Sequence, residues 1–77
     1  PEAVAMARMQ RAAIAHCMEG ITADQRTAIV LYDVQGYDYA EIAAITGVST
    51  GTVKSRIHRG RLALRDCLGP SMEPNRG

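Results

Sequence analysis

The chain has 77 residues, of which 47% are hydrophobic, and it contains neither Phe nor Trp. This length allows one small domain with a marginal core. Because Ala, Ile, Val and Leu must supply that core, the composition favours packed helices over a β-sandwich. The sequence shows no signal peptide and no apolar run near the roughly 18 residues of a membrane span. Since it begins at Pro1 rather than Met, we interpret it as part of a longer protein.

The formal net charge of +1 hides a separation of charge along the chain. Residues 50–65 hold five basic residues and no acid, a local charge of +5. Residues 22–48 hold four acids and one Arg, a local charge of −3. This separation indicates one surface suited to a polyanion and another suited to a different contact.

The first predicted helix covers residues 1–18, which are rich in good helix formers, and Gly20 marks its end. We expect its apolar side chains to pack on the core, although its methionines could instead form an adaptable surface for a partner. The apolar face comprises Val4, Ala7, Ile14 and Met18, and the methionines are Met6, Met9 and Met18.

Capping patterns predict where the next helices begin and end. A second, largely buried helix begins after Thr22, which has Gln25 three residues later, and its apolar residues are Ala28, Ile29, Val30, Leu31 and Val34. Gly36 ends it. A third, short helix begins after Asp38, which has Glu41 three residues later, and its apolar face is Ile42, Ala43 and Ile45.

The fourth predicted helix begins after Ser49, whose hydroxyl can cap it, and ends at Gly69 and Pro70. Its inward stripe is Val53, Ile57, Leu64 and Leu68. Gly60 weakens this helix locally without breaking it. The fold class is therefore all-α: a small four-helix domain over residues 1–69, with a helix-turn-helix at about 38–66 and a disordered tail at 70–77.

The helix-turn-helix rests on three positions: a small Ala43 where the helices cross, Gly47 in the turn, and Val53 from the second helix. With Val53 and Ile57 facing inward, the outward side chains near the start of the fourth helix suit the major groove of DNA. The predicted base-contacting residues are Lys54, Ser55, His58 and Arg59, and the predicted backbone-contacting residues are Thr50, Thr52, Arg56 and Arg61.

The segment from Asp24 to Arg65 closely resembles region 4 of bacterial sigma factors of the extracytoplasmic-function (ECF) group. The most diagnostic string is GTVKSRIHRGR, Gly51 to Arg61, and the QR at 25–26 and EIA at 41–43 agree with it. The resemblance covers more than half the chain.

The resemblance implies a specific function. Region 4 reads the −35 promoter element, here expected to carry a GGAAC-type core, and rests on the β flap of RNA polymerase. An anti-sigma factor commonly masks these surfaces, and the protein would be cytoplasmic. The resemblance also implies roles for individual residues. The positions that match base-facing ones are Lys54, Ser55, His58 and Arg59, and those that match backbone-facing ones are Thr52, Arg56 and Arg61. The family's region 2, which melts the −10 element, is absent from this sequence, so this chain alone is not expected to initiate transcription.

Other chemistry has little support in the sequence. Cys17 and Cys67 have no CxxC spacing, and we expect two free thiols rather than a disulfide, with Cys67 as core filler. His16 beside Cys17 makes a weak metal motif, so no metal, cofactor or catalytic residue is predicted. Two alternatives stay open: the helix-turn-helix output domain of a response-regulator-type transcription factor, and a protein-interaction module that uses the acidic, Tyr-bearing middle segment.

Overall fold

The computed structural model describes residues 2–69, and within them the chain forms four α-helices and no strand. This confirms the predicted fold class. The helices are α1 (Glu2–Glu19), α2 (Ala23–Ile29), α3 (Tyr39–Thr46) and α4 (Thr50–Leu68), and Val30–Val34 continue α2 as a π-helix. The tail predicted at residues 70–77 lies outside the described residues.

Two capping boxes fix the starts of α2 and α3, as the sequence predicts. The Gln25 N–H donates to Thr22 Oγ1 at 3.1 Å, and the Thr22 N–H donates back to Gln25 Oε1 at 3.4 Å. The corresponding bonds between Asp38 and Glu41 measure 2.8 and 3.0 Å. Because each box satisfies N–H groups that a helix end leaves unpaired, these local sequences determine where the helices begin.

A three-residue turn joins α3 to α4. Gly47 adopts φ 71°, a left-handed conformation that side chains rarely tolerate, and its N–H donates to the Ala43 carbonyl at 2.8 Å. The Val48 N–H donates to the same carbonyl at 3.1 Å. Ser49 then caps α4 by accepting from the Thr52 N–H at 3.1 Å. The turn predicted from Gly47 and Ser49 is confirmed.

The core lies where α2, α3 and α4 meet. Ile42 of α3 and Val53 of α4 are fully buried, and Ala28 and Ile57 complete the cluster at 2% exposure each. The inward orientation predicted for Val53 and Ile57 is therefore confirmed, and the opposite side of α4 is left for solvent.

The π-helical end of α2 was not predicted. Its wider turn is closed by the Gln35 N–H, which donates to the Val30 carbonyl five residues earlier at 3.0 Å. The expectation that the apolar run stays buried is wrong at its end, because Val34 is 74% exposed.

Helix α1 differs from the prediction more strongly. Only Cys17 of this helix is buried, whereas Val4, Met6, Met9 and Ile14 are exposed. The expectation of core packing along the whole helix is therefore wrong. The reason is that only the C-terminal turns of α1 reach the rest of the domain, mainly α4, and the preceding turns extend past it.

Cys17 and Cys67 form a disulfide, so the expectation of two free thiols is wrong. Their Cα atoms are 5.8 Å apart although 50 positions separate them in sequence. The fold brings the last turn of α1 beside the last turn of α4, a proximity that spacing alone cannot reveal. Cys67 is an exposed end of this link rather than core filler.

Candidate nucleic-acid interface

The outward face of α4 begins directly after the turn. The exposed residues of this face are Lys54, Ser55, His58 and Arg59. Val53, which lies just before them in the sequence, is buried. Because residues four apart share one side of a helix, Ser55 and Arg59 project together, away from the core. Both a short hydrogen-bonding side chain and a long cationic one are thus presented on one face.

This face borders an open groove of about 510 Å³ between the N-terminal ends of α2 and α4. One wall comes from α2 and its cap, and the other from α4 and its cap. The lining residues are Thr22, Asp24, Gln25, Ser49, Gly51, Thr52, Ser55, Arg56 and Arg59. The groove therefore combines two helix starts, three hydroxyl side chains of the α4 wall and two guanidinium groups.

On the groove side of α4, Arg56 pairs with Asp24. Arg56 Nη2 lies 3.6 Å from Asp24 Oδ2, and the two side chains are 25% and 74% exposed. At this distance and exposure the pair is a weak contact that water and salt screen strongly. Arg59 lies further along the same groove. Among the described residues that line this groove, Asp24 is the only acid.

The other side of α4 is occupied by aromatic residues. The rings of Tyr32 and Tyr39 stack with centroids 4.9 Å apart and an interplanar angle of 7°. The Lys54 ammonium lies 5.4 Å from the Tyr39 ring, and the Arg61 guanidinium lies 5.6 Å from the Tyr32 ring. Each cation is therefore placed over an aromatic face, an attractive arrangement.

Arg61 is also held by an acid. Its Nη2 donates to Asp33 Oδ1 at 2.5 Å, a contact between α4 and the π-helical segment. A hydrogen bond with Tyr39 is the main cause that raises the pKa of Tyr32. The electrostatic interaction with Tyr39, desolvation and the charge of Asp33 act in the same direction, while Arg61 acts in the opposite direction. This cluster ties the π-helical segment and α3 to α4.

The groove brings together only part of the set predicted from sequence. It gathers Ser55 and Arg59 from the predicted base contacts with Thr52 and Arg56 from the predicted backbone contacts. Lys54 and Arg61 lie on the aromatic side, and Thr50 and His58 are exposed outside the groove lining. The DNA roles of all eight residues stay predictions.

Sequence reasoning missed the α2 wall of the groove. Thr22 and Gln25 were identified as helix caps and Asp24 as one of several acids, but nothing local places them beside α4. The only available signal was the resemblance over Asp24 to Arg65, which joins the two segments in one family domain.

Within residues 2–69, no three His, Cys, Asp or Glu side chains come close enough to hold a metal ion. No helix in the same range is long and apolar enough to cross a membrane.

Comparison with known proteins identifies the family. Residues 11–64 match the family model described as "Sigma-70, region 4". The chain is 51% identical over 51 residues to ECF RNA polymerase sigma factor SigE of Mycolicibacterium smegmatis. The matched segment covers 66% of this chain and 20% of that protein.

Two further relatives agree. ECF RNA polymerase sigma factor SigM of Mycobacterium tuberculosis is 42% identical over 74% of this chain and 29% of its own length. The ECF RNA polymerase sigma-E factor of Escherichia coli is 37% identical over 91% of this chain and 37% of its own length. The chain thus spans between 20% and 37% of these relatives. It belongs to the sigma-70 region 4 family, as a region 4 domain of the extracytoplasmic-function group.

Proposed function

We propose that this domain recognises the −35 element of promoters and so directs RNA polymerase to them. The observation that carries the proposal is the exposed face of Ser55 and Arg59 beside a groove that also holds Thr52 and Arg56. An α-helix fits the major groove of B-DNA, and its N-terminal residues contact base edges in helix-turn-helix proteins.

Base contacts are assigned to the exposed residues of α4. Arg59 has the reach and the paired donors to bind O6 and N7 of guanine. Ser55, one turn earlier on the same face, can donate to or accept from a neighbouring base. Lys54 and His58 flank this pair and can contact adjacent positions of the site.

Backbone contacts are assigned to the groove and to the helix start. Arg56 and Thr52 face the groove, and Thr50 is exposed in the first turn of α4, where free N–H groups favour a phosphate. For Arg61 the earlier prediction of a phosphate contact competes with its bond to Asp33. We infer that Arg61 mainly holds α4 against the π-helical segment.

The partners of the whole sigma factor are further parts of the proposal. RNA polymerase, through its β flap, and an anti-sigma factor would each bind an apolar surface. Apolar side chains that are exposed outside the groove lining are those of Val34, Tyr37 and Ile45. The protein would act in the cytoplasm, where promoter DNA and polymerase are found.

Fluorescence anisotropy of the 77-residue chain tests the proposal. The probes are a duplex with a GGAAC-type core and a scrambled duplex of equal composition, each at several salt concentrations. Loss of one good bidentate base contact is worth about 1–3 kcal/mol, so Arg59→Ala should reduce the preference for the first duplex about fivefold or more. Arg8→Ala removes the same charge from exposed α1 and is the matched control. Equal binding of both duplexes by the unaltered chain would refute the proposal.

A further inference from the structure

The groove assigned to DNA contains one negative charge. Among residues 2–69, Asp24 is the only acid that lines it, and its side chain is 74% exposed. Its Oδ2 lies 3.6 Å from Nη2 of Arg56, the guanidinium that the proposed function assigns to a phosphate. A phosphate that approaches Arg56 must therefore share this cation with a carboxylate.

The carboxylate is not required to satisfy a buried group. Arg56 and Asp24 both reach solvent, and an ion pair of this exposure contributes little to folding. Asp24 also lies in the first turn of α2, where any acid is weakly favoured by the helix dipole. The dipole accounts for an acid near this position, but it predicts no effect on DNA affinity.

We propose that Asp24 limits the sequence-independent attraction of this domain for DNA; the inference rests on the proposed function, because it assumes that DNA occupies the groove. The carboxylate repels phosphate and holds Arg56 within the protein. Both effects lower the affinity for every duplex by the same factor. Occupancy of unrelated DNA falls, while the ratio between specific and unrelated sites is unchanged.

The salt dependence of binding distinguishes this role from a purely structural one. Each phosphate neutralised by the protein contributes about −0.9 to the slope of log affinity against log salt on duplex DNA. Freeing Arg56 from Asp24 should therefore add up to about that amount to the slope, reduced by the share that Arg56 already contributes while Asp24 is present. A unit charge removed at about 4 Å in water corresponds to about a fivefold change in affinity at low salt.

The test compares Asp24→Asn with Glu19→Gln, which removes the same charge at the exposed end of α1. Binding of the 77-residue chain is measured by anisotropy on the GGAAC-type and scrambled duplexes over a series of salt concentrations, and thermal melts confirm that each variant folds. We expect Asp24→Asn to tighten the binding of both duplexes about fivefold at low salt and to steepen both slopes by up to about 0.9. Glu19→Gln should leave both slopes unchanged.

Arg56→Gln provides a second arm. In this background the Asp24→Asn change should lose its effect on the slope, because the cation that it frees is absent. A slope for Asp24→Asn equal to that of Glu19→Gln, or an unchanged effect in the Arg56→Gln background, would overturn the inference. Failure of the proposed function is recognised separately, since the unaltered chain would then bind the two duplexes equally whatever Asp24→Asn does.

Discussion

The two sides of helix α4 carry similar charges but differ in what surrounds them. On the groove side, Arg56 makes a loose 3.6 Å contact with Asp24 beside open solvent. On the aromatic side, Arg61 is bound to Asp33 at 2.5 Å and lies over the Tyr32 ring. The contrast lies in the pairing and not in the exposure, because the Arg61 side chain is 50% exposed and that of Arg56 is 25% exposed. One side leaves its cation loosely paired, and the other side uses its cation to join two helical segments.

This difference shows that the local charge of +5 is not a measure of the charge offered to DNA. The acidic segment at residues 22–48 returns to both sides of α4 and neutralises part of it. We infer that these internal contacts limit which basic residues can reach a phosphate, since a cation that already holds a short ion pair must break it to bind elsewhere.

Both sides belong to α4, so the largest loss of stability is expected when the packing of α4 on the core is weakened. Ile57 is 2% exposed in the core cluster, and Ile57→Ala should lower the free energy of unfolding by about 2–5 kcal/mol. Ile45→Ala, at a position 55% exposed on α3, is the control and should change it by less than about 0.5 kcal/mol. Urea denaturation followed by circular dichroism measures both, and equal losses would contradict the assigned core.

The next effect concerns the C-terminal end of α4, which lies beyond both the groove and the aromatic residues. The disulfide closes a loop of 50 positions, and replacing both Cys17 and Cys67 by Ser should lower the free energy of unfolding by about 2–4 kcal/mol. Chemical reduction of the unaltered chain should give the same loss in urea denaturation. An unchanged stability after confirmed reduction would show that packing alone holds α1 on α4.

A smaller difference in the free energy of unfolding should distinguish the aromatic side from the groove side. Arg61→Ala removes the bond to Asp33 and the contact with the Tyr32 ring, together worth about 1 kcal/mol of unfolding free energy. Arg56→Ala removes only the loose pair with Asp24 and should cost less than about 0.5 kcal/mol. Thermal melts of the two variants under the same conditions measure the difference. A larger loss for Arg56→Ala would reverse the structural assignment.

The smallest effect concerns the aromatic side alone. The pKa of Tyr32 is raised, mainly by hydrogen bonding with Tyr39, so the fold favours the neutral phenol. The folded chain therefore keeps the Tyr32 proton at a pH near 10, where the unfolded chain loses it. This contribution to the free energy of unfolding is present below about pH 10 and disappears as the pH rises further. In an absorbance titration of phenolate, Tyr39→Phe should lower the pKa of Tyr32. Tyr37→Phe should leave that transition in place, and a Tyr32 transition insensitive to Tyr39→Phe would exclude the coupling.

Local features of the fold could be predicted from the sequence because their causes are local. The capping boxes at Thr22 and Asp38, the left-handed turn at Gly47 and the inward stripe at Val53 and Ile57 each depend on residues only a few positions apart. Helical spacing likewise identified the exposed face of Ser55 and Arg59.

Features that depend on tertiary placement could not be predicted in this way. The link between Cys17 and Cys67 joins positions 50 apart, and the bond of Arg61 to Asp33 joins positions 28 apart. The exposure of Met9 follows from how far α1 extends past its partner, which periodicity within α1 does not encode. The same holds for Asp24, whose place in the groove depends on how α2 packs on α4.

The most direct test of the account is the salt dependence of DNA binding in Arg56→Ala and Arg61→Ala, measured with the 77-residue chain on one GGAAC-type duplex. Both variants lose one positive charge from α4. We predict that the slope of log affinity against log salt becomes shallower by up to about 0.9 for Arg56→Ala and stays unchanged for Arg61→Ala. Equal reductions in both variants, or a reduction confined to Arg61→Ala, would contradict the proposed assignment of Arg56 to a DNA contact and of Arg61 to a contact within the fold.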